Sequence, residues 1–512
     1  MSRSQMVQEK AYERRWAVLG VLCFSLLVIV LDNTILNVAI PTISNDLNPT
    51  TAQLQWMVDS YTLVFAGLLL TAGSLGDRFG RRGALQIGLV LFGIGSVLSA
   101  LSSTPNELIA ARAFMGIGGA FIMPATLSII TNLFPDEERA RAIGVWAATA
   151  GVAVALGPIV GGALVEDFYW GSIFLVNIPI VVLGLIAGLF LIPTSKDPSA
   201  PKLDVPGALL SITSLTAILF AIIEGPPRGW TDPVVVASFV GGVMLLGAFI
   251  WWELKTETPM LNMQFFRNRR FTASTFAVAM SFFVLFGSTF LLTQYMQFVL
   301  GYSPLQAGTR LLPFAAVILV VAPLSPRIVE RIGTRVTVAS GLAIAGLAML
   351  LMTALDATSS YGDIVWMLML MALGQGLVMA PATDAIMGSV PREKAGVGSA
   401  VNDTTRQVGG ALGVAVIGSV MSSIYSPKLV DFFAGLGAAL PEETQAAAED
   451  SIGGALQIAS SVPGAIGDQL AEVAKGAFVS GLHAGLLVAG VVGLVGAVVT
   501  YIVLPASHDE SN

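Results

Sequence analysis

The stretch GSLGDRFGRR, residues 73–82, returns in altered form as PRIVERIGTR, residues 326–335. Aligned, Asp77-Arg78, Gly80 and Arg82 face Glu330-Arg331, Gly333 and Arg335, an offset of 253 residues. Further along, GIGGAFIMPAT ending at Thr126 matches GQGLVMAPAT ending at Thr383, with Gly116 facing Gly374 and Pro124 facing Pro381 at offsets of 258 and 257. Two matches at nearly one offset describe a chain whose later part repeats its earlier part. Parallel repeats of apolar helices, related by an axis along the membrane normal, rock around a site near the midplane.

The composition requires a membrane. Of 512 residues, 55% are hydrophobic and only 12% charged, about half the charged share of a soluble protein. A spanning helix needs about 20 mainly apolar residues. Fourteen such runs are read near 17–40, 53–76, 84–104, 107–133, 142–165, 171–193, 207–224, 233–252, 272–299, 305–326, 336–355, 363–389, 395–424 and 476–504. The repeat makes runs one to six and nine to fourteen the two copies, with runs seven and eight inserted between them. The expected fold is an all-α polytopic bundle of two six-helix repeats plus two inserted helices. Its parts are an N-terminal segment 1–16, a first bundle 17–193, a linker 194–206, the inserted pair 207–253, a basic linker 254–271, a second bundle 272–504 and a tail 505–512. Because the basic stretch Arg3 to Arg15 leads straight into a full-length apolar run, the first helix is expected to be retained as an anchor.

Lys and Arg set the orientation. Twenty of the 26 fall on the side of the N-terminus, including Arg78, Arg81, Arg82, Arg139, Arg141, Lys255, Arg267, Arg327, Arg392 and Lys394. Arg228, Lys428 and Lys475 fall on the other, and Arg112, Arg310 and Arg406 lie within or at the edge of spans. By the positive-inside rule both termini are expected in the cytoplasm. The net charge of −7 matters less than this distribution. The long outer loop 425–475 carries seven acids and two lysines, and the helical spacing in 440–459 and 461–478 predicts a small helical hairpin there.

The motifs are LDNTILNVAIP (31–41), GSLGDRFGRR (73–82), ARAFMGIGGA (111–120), ALGPIVGG (155–162) and YWGSIFLVNIP (169–179). Together they resemble the major facilitator superfamily, in its fourteen-helix drug:proton antiporter branch, over nearly the whole chain. WMVDSYTL (56–63) and VNDTTRQVGGALG (401–413) look most like QacA-type exporters of lipophilic and quaternary-ammonium cations, although Arg406 and Gln407 resemble the wider branch. The resemblance implies a proton-driven antiporter of a bacterial cytoplasmic membrane. It also implies that the Arg112 segment takes part in proton coupling and that the ALGPIVGG glycines set the direction of exchange.

The residues carry a reading of their own. A carboxylate in mid-membrane costs a few kcal/mol or more when charged, so it is paired, neutralised by a proton, or turned to water and substrate. Asp32, about two-thirds along the first span, is therefore a proton-coupling candidate, with Arg112 as its natural partner and Asp403 as a second carboxylate. A plain polar pairing of Asp32, a structural anchor at Arg112, or a self-satisfied intrahelical pair of Asp403 with Arg406 three residues on, are the bland alternatives. A lipophilic cation needs a negative or aromatic surface in an apolar cavity. Asp59, Trp56, Tyr61, Gln294, Tyr295, Gln297 and, toward the cytoplasmic end, Asp384 are the substrate-binding candidates, with Phe283 and Phe286 on the same spans. Aromatics in spans also serve packing and interface belts. Gly73, Asp77, Arg78, Gly80, Arg81 and Arg82 form the expected conformational switch, a tight turn with a charge cluster that plain anchoring does not need. Gly157, Pro158, Gly161 and Gly162 offer close helix approach and a kink.

The expected function is proton-coupled export of small amphipathic cations by alternating access, by a monomer with protons and membrane lipids as its other partners. The alternative is the same machine with a lipid, a tetracycline-like compound or an amino acid as cargo. No GK[ST] occurs to hold a nucleotide. Neither a Ser/His/Asp nor a Cys/His constellation is present, so a transporter is expected in place of an enzyme. Cys23 is the single cysteine, and His483 and His508 lie far apart, so neither a metal site nor a cofactor is expected. Nucleic-acid binding has no support.

Overall fold

The computed structural model describes residues 12–47, 49, 51–198, 203–436, 441–462 and 464–506. Most of the expected N-terminal segment and tail, and parts of the first linker and outer loop, lie outside them. Seventeen α-helices make up the described chain, and no strand occurs among its residues. They are α1 Arg15–Leu47, α2 Thr51–Phe79, α3 Arg81–Ala100, α4 Pro105–Leu133, α5 Asp136–Asp167, α6 Ser172–Leu175 and α7 Asn177–Leu191, then α8 Val205–Arg228 and α9 Pro233–Lys255. After them come α10 Arg269–Gln294, α11 Pro304–Thr309, α12 Leu312–Met352, α13 Tyr361–Gly388, α14 Ala395–Leu436, α15 Glu442–Asp450, α16 Ile452–Ser461 and α17 Ala465–Val503.

Local chemistry sets many of the starts. Thr104, Asp204, Asp232 and Ser303 each accept a backbone N–H of the first turn, and each is followed by proline at one of the first two helical positions. Among the described residues, thirteen stretches are long and apolar enough to cross a membrane, so the chain is a multi-pass membrane protein. One of them, Leu305–Met352, is 48 residues long and contains Gly333 at φ 81°, ψ 158°, a conformation that breaks the helix at that point. Gly80, its partner in the repeat, lies between α2 and α3 at φ 120°, ψ 126°. The two glycines thus turn the chain at equivalent places. Neither conformation is open to a residue with a Cβ at low cost.

The repeat is visible in packing as well. Gly88 of α3 lies against the backbone of Gly118 in α4, and Gly341 of α12 lies against that of Gly374 in α13, so Gly118, and not Gly116 as the alignment of the motifs gives, holds the place of Gly374 in the packing. Pro124 and Pro381 are both accommodated inside helices. Helices α1 to α7 form one bundle, and α10, α12, α13, α14 and α17 a second. The bundles meet along two lines, α5 against α12 and α2 against α14. Gly144 on the first line lies against Ala322 and Pro323, and Gly73 on the second against Gly396 and Ala400. The inserted α8 packs on α2 and α14, whereas α9 packs mainly on α8 and exposes Val240, Met244, Trp251 and Leu254.

The outer loop differs from the expected hairpin in where its helices break. Ser451 is extended, φ −154°, and its hydroxyl caps Gly454, so 440–459 yields two helices, α15 and α16. The second expected helix is continuous with the last span as the first turns of α17. Tyr425 fixes the loop by donating to the Ala448 carbonyl at 3.0 Å.

Candidate functional site

Asp32 is buried on α1 and is answered on both oxygens. Arg112 of α4 bonds its Oδ2, and Asn177 at the start of α7 donates Nδ2 to its Oδ1 at 2.9 Å. Arg112 Nε donates to the Met57 carbonyl of α2 at 3.1 Å, and its guanidinium lies 4.6 Å from the Tyr61 ring centroid and 5.9 Å from that of Phe174. Asn177 Nδ2 also reaches Ser96 Oγ of α3 at 3.2 Å. Six helices therefore converge on one carboxylate. A charge this buried survives because each of its oxygens has a donor.

The second buried carboxylate, Asp403 on α14, lies in a separate cluster. Arg406 NH1 stands 3.9 Å from its Oδ1, while Asn402 Nδ2 donates to Oδ1 at 3.2 Å and Ser399 Oγ to Oδ2 at 3.4 Å. Arg406 also donates to Thr383 Oγ1 at 2.9 Å and lies over the rings of Trp146, at 4.9 Å, and Phe282, at 5.2 Å. Trp146 belongs to α5, so this cluster touches both bundles. Its indole donates to Thr126, the repeat partner of Thr383, at 3.1 Å.

A third cluster ties the bundles at the end that carries most of the arginines, here called the basic end. Asp77 accepts from Arg81 Nε at 2.9 Å, and from the Gly396 and Val397 backbone N–H groups at 2.9 and 3.0 Å. It thus sits on the N-terminus of α14, where a negative charge is favoured. Arg81, itself buried, donates to the Arg392 and Glu393 carbonyls at 2.9 and 2.8 Å. Around it, Arg139 pairs with Asp384 at 2.9 Å, Arg392 with Asp136 at 2.8 Å and Lys394 with Asp197 at 3.2 Å. The stretch after α7 is strapped onto the same turn, Arg81 N donating to Ser195 O and Asp197 N to Asp77 O. A cavity of about 570 Å³ opens beside it, lined in part by Asp197, Met260, Asn262, Phe265 and Lys394.

The remaining candidates scatter. Trp56 stands 6.0 Å from Phe220 of the inserted α8, and Asp59 one turn away is partly buried with Glu224 of α8 acting on it electrostatically. Tyr61 is buried and stacks on Phe65, so it belongs to the Asp32 cluster. Tyr295 is also buried and donates to the Asp356 carbonyl; Gln294 and Gln297 beside it are half-buried. Arg78 lies over Phe79, and Arg82 donates to the Ile192 carbonyl. Gly157 and Gly161 lie against Thr34 and Ile35 of α1, and Gly162 against Leu305 of α11. Helix α5 runs uninterrupted through Pro158. Asn177 and Ser96 were not singled out from sequence, although Asn177 is the one amide in the apolar run LVNIPIV.

This architecture is that of a secondary transporter with a buried charge cluster in each half. The family model described as Major Facilitator Superfamily matches residues 22–414, and the chain belongs to that superfamily. It is 37% identical over 487 residues, 95% of each chain, to the multidrug efflux pump LfrA of Mycolicibacterium smegmatis. It is 32% identical to the tetracenomycin C resistance and export protein of Streptomyces glaucescens, over 97% of this chain and 93% of that one. Identity to the methyl viologen resistance protein SmvA of Salmonella typhimurium is 33%, over 91% and 93%. Among solved structures, the proton:xylose symporter XylE superposes with a TM-score of 0.60 over 96% of both chains at 14% identity, a likeness of fold. The chain is thus a transporter of the drug-efflux kind and not an enzyme.

Proposed function

We propose that the protein exports lipophilic and quaternary-ammonium cations in exchange for protons, by alternating access, across a bacterial cytoplasmic membrane. The observation that carries the reading is the Asp32–Arg112–Asn177 cluster, a buried carboxylate whose charge several helices answer. A proton on Asp32 removes the charge that holds Arg112, leaving the guanidinium its Met57 carbonyl and aromatic neighbours. Helices α1, α2, α4 and α7 all register that change.

The chain crosses the membrane fourteen times in this reading, because Gly333 turns α12 as Gly80 turns α2 into α3. The basic end is then cytoplasmic, as are both termini. Asp77 and Arg81, clasping the start of α14, keep that end shut, and their release admits cargo from the cytoplasm. Asp59, Trp56 and Phe220 offer a negative and aromatic surface near the other end for the departing cation. The relative named for methyl viologen, itself a quaternary cation, supports this cargo class. A second reading keeps the machine and changes the cargo to an uncharged compound, as the relative named for tetracenomycin C suggests.

The deciding experiment is ethidium or quaternary-ammonium transport in proteoliposomes under an imposed pH gradient. The gradient should drive transport, Asp32→Asn should abolish it, and Asp59→Asn should change which cations move. Absence of any gradient-driven cation movement, with tetracenomycin-like cargo moved instead, would establish the second reading.

A further inference from the structure

The inserted pair holds a polar cluster that neither buried site nor the seam uses. Asp204 caps α8, its Oδ1 accepting from Gly207 N at 2.9 Å and from Trp252 Nε1 of α9 at 2.8 Å. Glu253, the next residue of α9, is 3% exposed, and its Oε2 accepts from Leu261 N at 3.0 Å. One oxygen on each side chain remains, Asp204 Oδ2 and Glu253 Oε1, both buried and without a hydrogen-bond donor. Both border the same point above Gly207: a Cβ there would lie 2.6 Å from Glu253 Oε1 and closer still to Asp204 Oδ2. Two acceptors thus face each other, and no described residue donates between them.

Like charges so placed cannot both ionise without a cation. None is at hand. Among the described residues, Asp204 is the one charged group acting on Glu253; Lys255 turns over the Trp251 ring at 4.3 Å, and Glu257 and Arg267 of the following segment are exposed. No group of three or more metal-ligating side chains occurs among the described residues.

We propose that Asp204 and Glu253 hold a single shared proton at neutral pH, giving the inserted pair a proton-binding site of its own, separate from Asp32 and Asp403. The proton bonds Asp204 Oδ2 to Glu253 Oε1 and ties the start of α8 to the end of α9. Residues 256–262 leave from this knot to line the cavity beside the Asp197–Lys394 pair. Loss of the proton sets two carboxylates against each other and loosens that segment. The assignment stands independently of proton coupling at Asp32.

Infrared spectroscopy of the purified full-length protein tests it, comparing Glu253→Gln, Asp204→Asn and the double variant at neutral pH. Each single variant should lose one protonated-carboxyl band with carboxylate intensity unchanged, since the remaining acid ionises. The double variant should lose one carboxyl and one carboxylate. Loss of two carboxylates, or of two carboxyls, in the double variant overturns the proposal. A second measurement needs no variant to fold normally. Loss of the proton sets the two carboxylates against each other in the native protein alone, so its melting temperature should fall as pH rises from the ordinary carboxylate range, in step with loss of the carboxyl band. Glu253→Gln, whose amide can donate to Asp204, should flatten that slope; a slope unchanged in Glu253→Gln also overturns it.

Discussion

A buried charge is tolerable only while its neighbours answer it, and the Asp32 cluster shows the cost of removing any one of them. Arg112→Ala leaves Asp32 facing Asn177 alone and should destabilise the protein by about 3–5 kcal/mol, read as a lower melting temperature in detergent. Arg112→Lys keeps the charge but not the fork that reaches both Asp32 and the Met57 carbonyl, so gradient-driven transport should stay low even where folding recovers. Asn177→Ala removes one charged hydrogen bond and should cost about 1.5–3 kcal/mol. Asp32 and Arg112 were legible in the sequence because a charge inside an apolar run is conspicuous. Asn177 and Ser96 were not, because an amide or hydroxyl in such a run reads equally well as a satisfied core group. At Tyr61 and Tyr295 the limit is a related one: sequence gives an aromatic's helix and depth but not the direction of its hydroxyl.

At the scale of elements, the glycines of the repeat do most of the mechanical work. Gly80→Ala and Gly333→Ala force a Cβ into backbone conformations that side chains rarely adopt, and each should cost about 1–3 kcal/mol of stability. Gly73 is different, since its backbone is helical and only its neighbours object. A Cβ there would lie 2.7 Å from that of Ala400, with the Gly396 carbonyl as close. Overpacking of about 1–3 kcal/mol shifts a two-state equilibrium about 5- to 150-fold. Gly73→Val should therefore favour opening at the basic end, seen as faster labelling of a cysteine placed at Asn132. The α12–α13 connection carries its own pH dependence. Thr358 hydrogen bonds hold the Asp356 carboxyl below its ordinary range, so the ordering they provide is complete above that range and lost as pH falls through the depressed value. Hydrogen exchange at residues 356–360 should rise on acidification, and Asp356→Asn should abolish the change. The helix content and the repeat were readable from apolar periodicity, whereas the break at Ser451 depends on one extended residue that no periodicity marks.

Across the whole molecule, the polar ties between the bundles gather at the basic end. Exchanging partners in Arg139→Asp with Asp384→Arg should recover much of the transport that either single change removes, with a coupling energy of about 0.5–3 kcal/mol in a double-mutant cycle. Sequence placed Asp384 and the Asp77 turn at the same end without showing that they belong to one seam. Packing across 245 residues of chain, as between Arg139 and Asp384, leaves no local signature.

The inserted pair hangs from one flank, α9 touching little besides α8. Because it goes up and comes back, everything downstream keeps the handedness and sidedness it would have had without it. A lone extra crossing would have turned the second bundle upside down and destroyed the match between the turns at Gly80 and Gly333. Parity, more than sequence, decides which additions this architecture can accept: helices can join its periphery in twos, and the paired bundles need not notice.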